Sequence, residues 1–275
     1  MISSLKNWFE TLLTVTLAVT PQVIPHTQHG FDYNISFKIG TQQNITSNIE
    51  TIKPKKSYNV TNTPISINGI GGWWRYPDNI KPARRDGDDL LVLVNKEYRL
   101  PEDYEPKDLV PASNSGIRRG EKFLLRQILI ADLANLINNA SADGIDLSVV
   151  SAYRSYQTQV TTYNYWVTYN KGSTDEADTI AARAGHSQHQ LGTAIDFSTS
   201  EINDGLSGIF TNTKASKWLS DNAWKYGFVI SFPKGFEMVT GYAYESWHYR
   251  YIGIENAKQM TERGQILENF LKSKN

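Results

Sequence analysis

There is no cysteine among the 275 residues. That absence removes disulfides, thiol nucleophiles and cysteine-ligated metal sites together. It also points weakly outward, since a chain without free thiols suits an oxidising exterior. Net charge is missing too: 28 lysines and arginines balance 28 aspartates and glutamates, so no overall field draws the protein to nucleic acid or anionic lipid. The short basic runs at Lys53, Lys55 and Lys56, at Arg84 and Arg85, and at Arg118 and Arg119 read as solvated faces. Internal repeats and low-complexity tracts are also absent. What remains is 40% hydrophobic and 12% aromatic, enough for a packed core and against global disorder.

The start of the chain leaves two readings open. Residues 12–19, LLTVTLAV, make a short apolar run behind Lys6 and ahead of Pro21 and Pro25, the order of a signal peptide. Glu10 interrupts the segment, the basic region is a single lysine, and no A-x-A cleavage site follows. An export signal or membrane tether stands against an ordinary helix, and the run is too short and broken to read as a membrane span. From Gly30 to Arg85 the composition turns to Asn, Thr, Ile and Ser. Phe31, Tyr33, Ile35, Phe37 and Ile39 alternate with polar residues, and Ile65 and Ile67 precede Gly69, Gly71 and Gly72, so two short strands are expected. His26 and His29 have no further ligands near them in the sequence and read as surface residues. Residues 1–85 are thus expected to form an N-terminal extension with a β-rich part. The main domain is expected at 86–275, after the turn-forming Asp86, Gly87 and Asp88.

Within that domain, residues 90–94 (LLVLV) have the length of a strand. Residues 122–140 place Leu125, Leu129, Leu133, Leu136 and Ala140 on one helical stripe. A strand at 145–150, a helix at 157–171 ended by Gly172, and a polar loop lead to residue 185. A helix at 214–226, a strand at 228–232, a strand at 242–251 and an amphipathic helix at 254–271 complete the chain. The later strands are hairpin-like, without crossover helices between them. That predicts an α+β fold with an antiparallel sheet and flanking helices.

Two stretches carry candidate chemistry. In the first, His189 and Asp196 lie seven apart; in the second, Glu245 and His248 lie three apart. Two neutral imidazoles and one carboxylate are a ligand set for a catalytic zinc that keeps a coordination position open. Glu245, close by and not needed as a ligand, is placed to act as a general base. If Ile195 and Phe197 face the core from a strand, Asp196 faces the other side and can join His189 at a cleft. Spacing alone leaves a zinc site and ordinary core or surface roles both open.

The surrounding words narrow this. The stretches S-A-Y-R-S-Y-Q-T-Q from Ser151 to Gln159, G-H-S-Q-H-Q-L-G-T-A-I-D from Gly185 to Asp196, and E-S-W-H-Y-R-Y from Glu245 to Tyr251 resemble one family in order and spacing. It is the VanY-type zinc D-alanyl-D-alanine carboxypeptidases, with L,D-carboxypeptidase and VanX-like dipeptidase relatives (the LAS metallopeptidases). The pattern S-x-H-x-x-G-x-A-x-D followed by E-x-W-H is specific, and the resemblance runs over about residues 90–271, leaving the first 85 uncovered.

The resemblance implies a small antiparallel sheet with flanking helices and one Zn2+ per chain, held by His189, Asp196 and His248. Glu245 becomes the base, and Arg154 holds the developing oxyanion or a substrate carboxylate. Gln159 and Ser187 match positions that line the substrate site, against plain readings as a helix-surface amide and a turn hydroxyl. His186 is not a ligand in the family pattern, Trp247 is expected to pack behind the site, and Ala152 stands where the family often has glycine. The implied substrate is a peptidoglycan stem peptide losing its C-terminal D-alanine, which places action outside the cytoplasmic membrane, with a monomer expected. L,D-carboxypeptidase or endopeptidase action on the same substrate class is the nearest rival. A zinc-containing wall-peptide binder without turnover is the rival of another class.

Overall fold

The computed structural model describes residues 72–275; the expected signal or tether, the strands at 31–39 and 65–67, His26 and His29 all lie outside the described residues. Two short pairings come first along the chain. Strand β1 (Lys81–Pro82) runs parallel to β2 (Tyr98–Arg99), and β3 (Leu109–Pro111) pairs antiparallel with β4 (Leu124–Arg126). The main sheet is antiparallel throughout. Its strands β5 (Ser148–Ser151), β6 (Ala194–Ser198), β7 (Phe228–Ile230) and β8 (His248–Tyr251) are ordered β5-β6-β8-β7. The α+β expectation holds.

The period-two rule decides which side chains the sheet offers to the core. Ile195 and Phe197 of β6, with Tyr249 and Tyr251 of β8, pack into one apolar cluster with Leu129, Leu133, Leu136 and Ala140 of helix α1 (Gln127–Ala142). Asp196, His248 and Arg250 therefore project from the opposite face. Helix α2 (Tyr156–Tyr169) starts at Ser155, whose hydroxyl accepts from the Thr158 N–H.

The structure corrects several boundaries. Residues 90–94 are not a strand: residues 86–91 form turns, with the Asp89 carboxylate accepting from the Leu91 N–H at 2.8 Å. The carbonyls of Leu90 and Val92 instead accept from the Arg250 guanidinium at 3.0 and 3.3 Å. Helix α1 begins at Gln127 rather than 122 because residues 124–126 pair with β3. The polar loop before residue 185 contains helix α3 (Thr174–Ile180), capped by the Ser173 hydroxyl. Helix α4 (Lys214–Asn222) passes into a 3-10 turn, Ala223–Tyr226. Helix α5 (Glu237–Thr240) is a further short element. The closing helix is two, α6 (Ile254–Glu262) and α7 (Leu267–Lys272), separated at Gly264, whose φ of 60° no continuing helix allows. Glu245 is not on a strand; the backbone turns ahead of β8, with the His248 N–H donating to the Glu245 carbonyl at 3.3 Å.

Chain contacts also cross residue 85. The compact unit runs from Ile70 to Asn275. Within it, β1 is laid beside β2 and the Tyr76 hydroxyl reaches Tyr242.

Candidate active site

The strand register brings the two sequence stretches together. Asp196 on β6 stands directly opposite His248 on β8, so residues 52 apart in sequence become cross-strand neighbours. His189 arrives from a 3-10 turn, Gln188–Leu191, whose leading Ser187 hydroxyl accepts from the His189 N–H at 3.3 Å. His189 Nε2 lies 3.3 Å from Asp196 Oδ2, and His248 Nδ1 lies 2.8 Å from Asp196 Oδ1. All three residues are buried, and each offers a ligand atom within 4.8 Å of the others.

The outer nitrogen of each imidazole has a partner that can only accept. His189 Nδ1 donates to the Ala152 carbonyl at 2.7 Å, and His248 Nε2 donates to Gln188 Oε1 at 3.2 Å. The inner nitrogens, His189 Nε2 and His248 Nδ1, face the Asp196 carboxylate, and with the ring protons on the outer side both would turn lone pairs toward a cation held there. Burial pushes His189 down to about 4, outweighing the opposing charge of Asp196. For Asp196, burial opposes the charged form, but the imidazoles beside it prevail and hold the carboxyl well below the usual carboxylate range. Two imidazole nitrogens and one carboxylate oxygen converging within 4.8 Å fit a divalent cation, and the donor set suits zinc.

Glu245 sits at the edge of this cluster, its Oε2 3.8 Å from His248 Nδ1. Burial, with Asp196 adding to it, pushes its carboxyl well above the ordinary value, against the pull of Arg154. Arg154 follows strand β5, its backbone N–H donating to the His189 carbonyl at 3.1 Å. Burial in the cleft lowers its guanidinium from the ordinary value, opposed by Asp196 and Glu245. Among the described residues no carboxylate lies within ion-pair distance of it, so its fork is open to the cleft.

These groups share a cleft of about 300 Å³ walled by Trp166, Ile180, Leu206, Phe232, Tyr242 and Trp247. Gln159 and Ser187 also line it. Gln159 is 2% exposed; its Nε2 donates to the Ala182 carbonyl at 2.6 Å, while its buried Oε1 has no partner among the described residues. It is therefore not a helix-surface amide. Trp247 packs against the core and borders the cleft as well. His186 stands apart, with Nδ1 donating to the Asn95 carbonyl at 2.7 Å and its ring edge-on to Tyr76 at 4.8 Å.

One residue of the site was missed in the sequence. Gln188 Oε1 accepts from the Ser231 hydroxyl at 2.7 Å as well as from His248. Only its place beside Ser187 and His189 hinted at a role.

Comparison with known proteins agrees with this geometry. Residues 122–254 match the VanY family, described as D-alanyl-D-alanine carboxypeptidase. The putative carboxypeptidase YodJ of Bacillus subtilis is 35% identical over 228 residues, covering 80% of this chain and 81% of its own. The solved LdcB LD-carboxypeptidase superposes with a TM-score of 0.63 at 32% identity, over 74% of this chain and 96% of that one. A variant of the vancomycin-resistance D,D-pentapeptidase VanY, solved in complex with Zn(II), gives 0.54 at 30% identity, over 66% and 98%.

Proposed function

The chain belongs to the VanY D-alanyl-D-alanine carboxypeptidase family, and on that premise we propose that it removes the C-terminal D-alanine from peptidoglycan stem peptides with one zinc ion per chain. The carrying observation is the pair of imidazoles whose outer nitrogens are both engaged, so that their inner lone pairs converge with Asp196. His189 Nε2, Asp196 and His248 Nδ1 would hold the ion, and zinc bound there would supply a nucleophilic water near neutral pH and Lewis-acid polarisation of the peptide carbonyl.

The protein's own groups do the rest. Glu245 accepts the proton of the attacking water and returns it to the departing amine nitrogen; its raised affinity for a proton suits both steps. Arg154 donates from its planar fork to the oxyanion or to the peptide's terminal carboxylate. Gln159 Oε1, fixed as an acceptor by the Ala182 contact, receives a substrate N–H, and the Ser187 hydroxyl lines the same space. The apolar wall keeps bulk water from competing.

The catalytic unit is residues 86–275, with residues 72–85 a strap upon it and the remaining N-terminal region accessory. The substrate class supports an extracytoplasmic site of action, with the N-terminal apolar run as its export signal or tether.

Incubating the zinc-loaded full-length chain with purified muropeptides and weighing the products tests this reading. Loss of one alanine from pentapeptide is expected. Loss from tetrapeptide alone would move the protein to the L,D branch, and zinc binding without cleavage would make it a wall-peptide binder.

A further inference from the structure

Tyr76 precedes the region that matches the family, yet its side chain ends beside the cleft. Its hydroxyl accepts the Arg183 N–H at 2.9 Å and shares a hydrogen bond with the Tyr242 hydroxyl at 3.1 Å. Between the two rings lies Lys96, its ammonium 4.3 Å from the Tyr76 centroid and 4.0 Å from that of Tyr242. The same ammonium donates to the Asp178 carbonyl at 2.7 Å. On the outer side, the Arg183 guanidinium covers the Tyr76 ring at 4.3 Å and pairs with the Asp178 carboxylate at 2.7 Å.

Tyr242 is 4% exposed and forms part of the cleft wall. Its ring meets Phe232 at 4.8 Å, and Phe232 meets the His248 ring at 5.0 Å. Three residues beyond Tyr242 is Glu245. The Lys96 stem also lies close under Gly241, where an added Cβ would come within 2.6 Å of its Cε at a φ of 75°. The wall is thus pressed on Lys96 and tied to Tyr76.

We propose that Tyr76 and Lys96 are positioning residues which hold Tyr242 as a fixed wall of the cleft and so set the room open to the peptide's terminal residues. This rests on the carboxypeptidase reading above. Burial pushes both phenols above their ordinary value, so the link between them is a neutral hydrogen bond across the working pH range. Neither residue touches the reacting atoms. Loosening the wall costs substrate positioning and leaves the metal ligands and the base in place.

The test uses the zinc-loaded full-length chain and a pentapeptide ending in D-Ala-D-Ala. Tyr76→Phe keeps the ring and removes the hydroxyl with both of its hydrogen bonds, to Tyr242 and from the Arg183 N–H, and KM should rise roughly threefold to tenfold with kcat and zinc content retained. Lys96→Met should act in the same direction. In a Tyr242→Phe background the Tyr76→Phe change should cost less than it does alone, because the link to Tyr242 is already cut and only the Arg183 contact is left to lose. Unchanged KM, a fall in kcat alone, or full additivity with Tyr242→Phe would overturn the clamp. Amide exchange over residues 236–246 reads the clamp without substrate: it should quicken in Tyr76→Phe, and unchanged exchange there would also overturn it. Quickened exchange in a protein that cleaves no peptide would sink the carboxypeptidase reading while upholding the clamp.

Discussion

His189 and His248 meet edge to face across Asp196, with ring centroids 4.9 Å apart and planes at 83°. The crossing turns one inner nitrogen of each ring toward the same carboxylate. It persists because each outer nitrogen is anchored, one to a backbone carbonyl and one to Gln188.

That relationship makes Gln188 testable. Gln188→Leu leaves His248 Nε2 without its acceptor, so ring orientation and tautomer are no longer held. Zinc affinity should fall about 10-fold to 100-fold, the usual cost of losing such an outer partner. Competition with a chelator measures it, and wild-type affinity would remove Gln188 from the site.

Glu245→Gln preserves the shape of the side chain and removes its basicity. The variant should bind zinc as the wild type does and lose turnover by roughly 10²- to 10⁴-fold. Metal loss alongside activity would instead make Glu245 a ligand.

Arg154→Lys keeps the charge and loses the fork. Turnover should fall on the order of 10²-fold or more with the fold intact by circular dichroism, since an ammonium cannot make two parallel bonds to an oxyanion or carboxylate. Near-normal turnover would count against both roles.

His186 predicts a pH effect on stability. Burial pushes its imidazole down to about 4. Below its unfolded value near 6.5 the unfolded chain takes up a proton that the folded chain refuses, so stability falls as pH drops from about 6.5 to 4. Across that window the wild type should lose up to about 3 kcal/mol more than His186→Gln, read by denaturant unfolding at each pH. Parallel pH profiles would show that the imidazole is not the group responsible.

Much of the candidate site was legible in the sequence. Ligand chemistry is local: only certain side chains donate to zinc, and Asp196 had to face away from Ile195 and Phe197 once that segment was a strand. The helical stripe of α1 was legible for the same reason, because burial repeats with the helix period. Residues 90–94 misled, since an apolar run is equally buried as strand or as irregular chain. There the deciding partner, Arg250, lies 160 residues away from Leu90.

The sequence by itself thus narrowed the candidate donors to His189, Asp196 and His248 with Glu245 beside them, through three short stretches that resemble one family, and it indicated the α+β class through short-range periodicity. Tertiary structure alone decided which nitrogen of each imidazole turns inward, that Gln188 orients His248, that Glu245 sits in a turn, and that Tyr76 reaches the cleft wall. Each of these depends on a contact between distant segments, and a hydrogen bond across the sheet leaves no periodic trace in the chain that makes it.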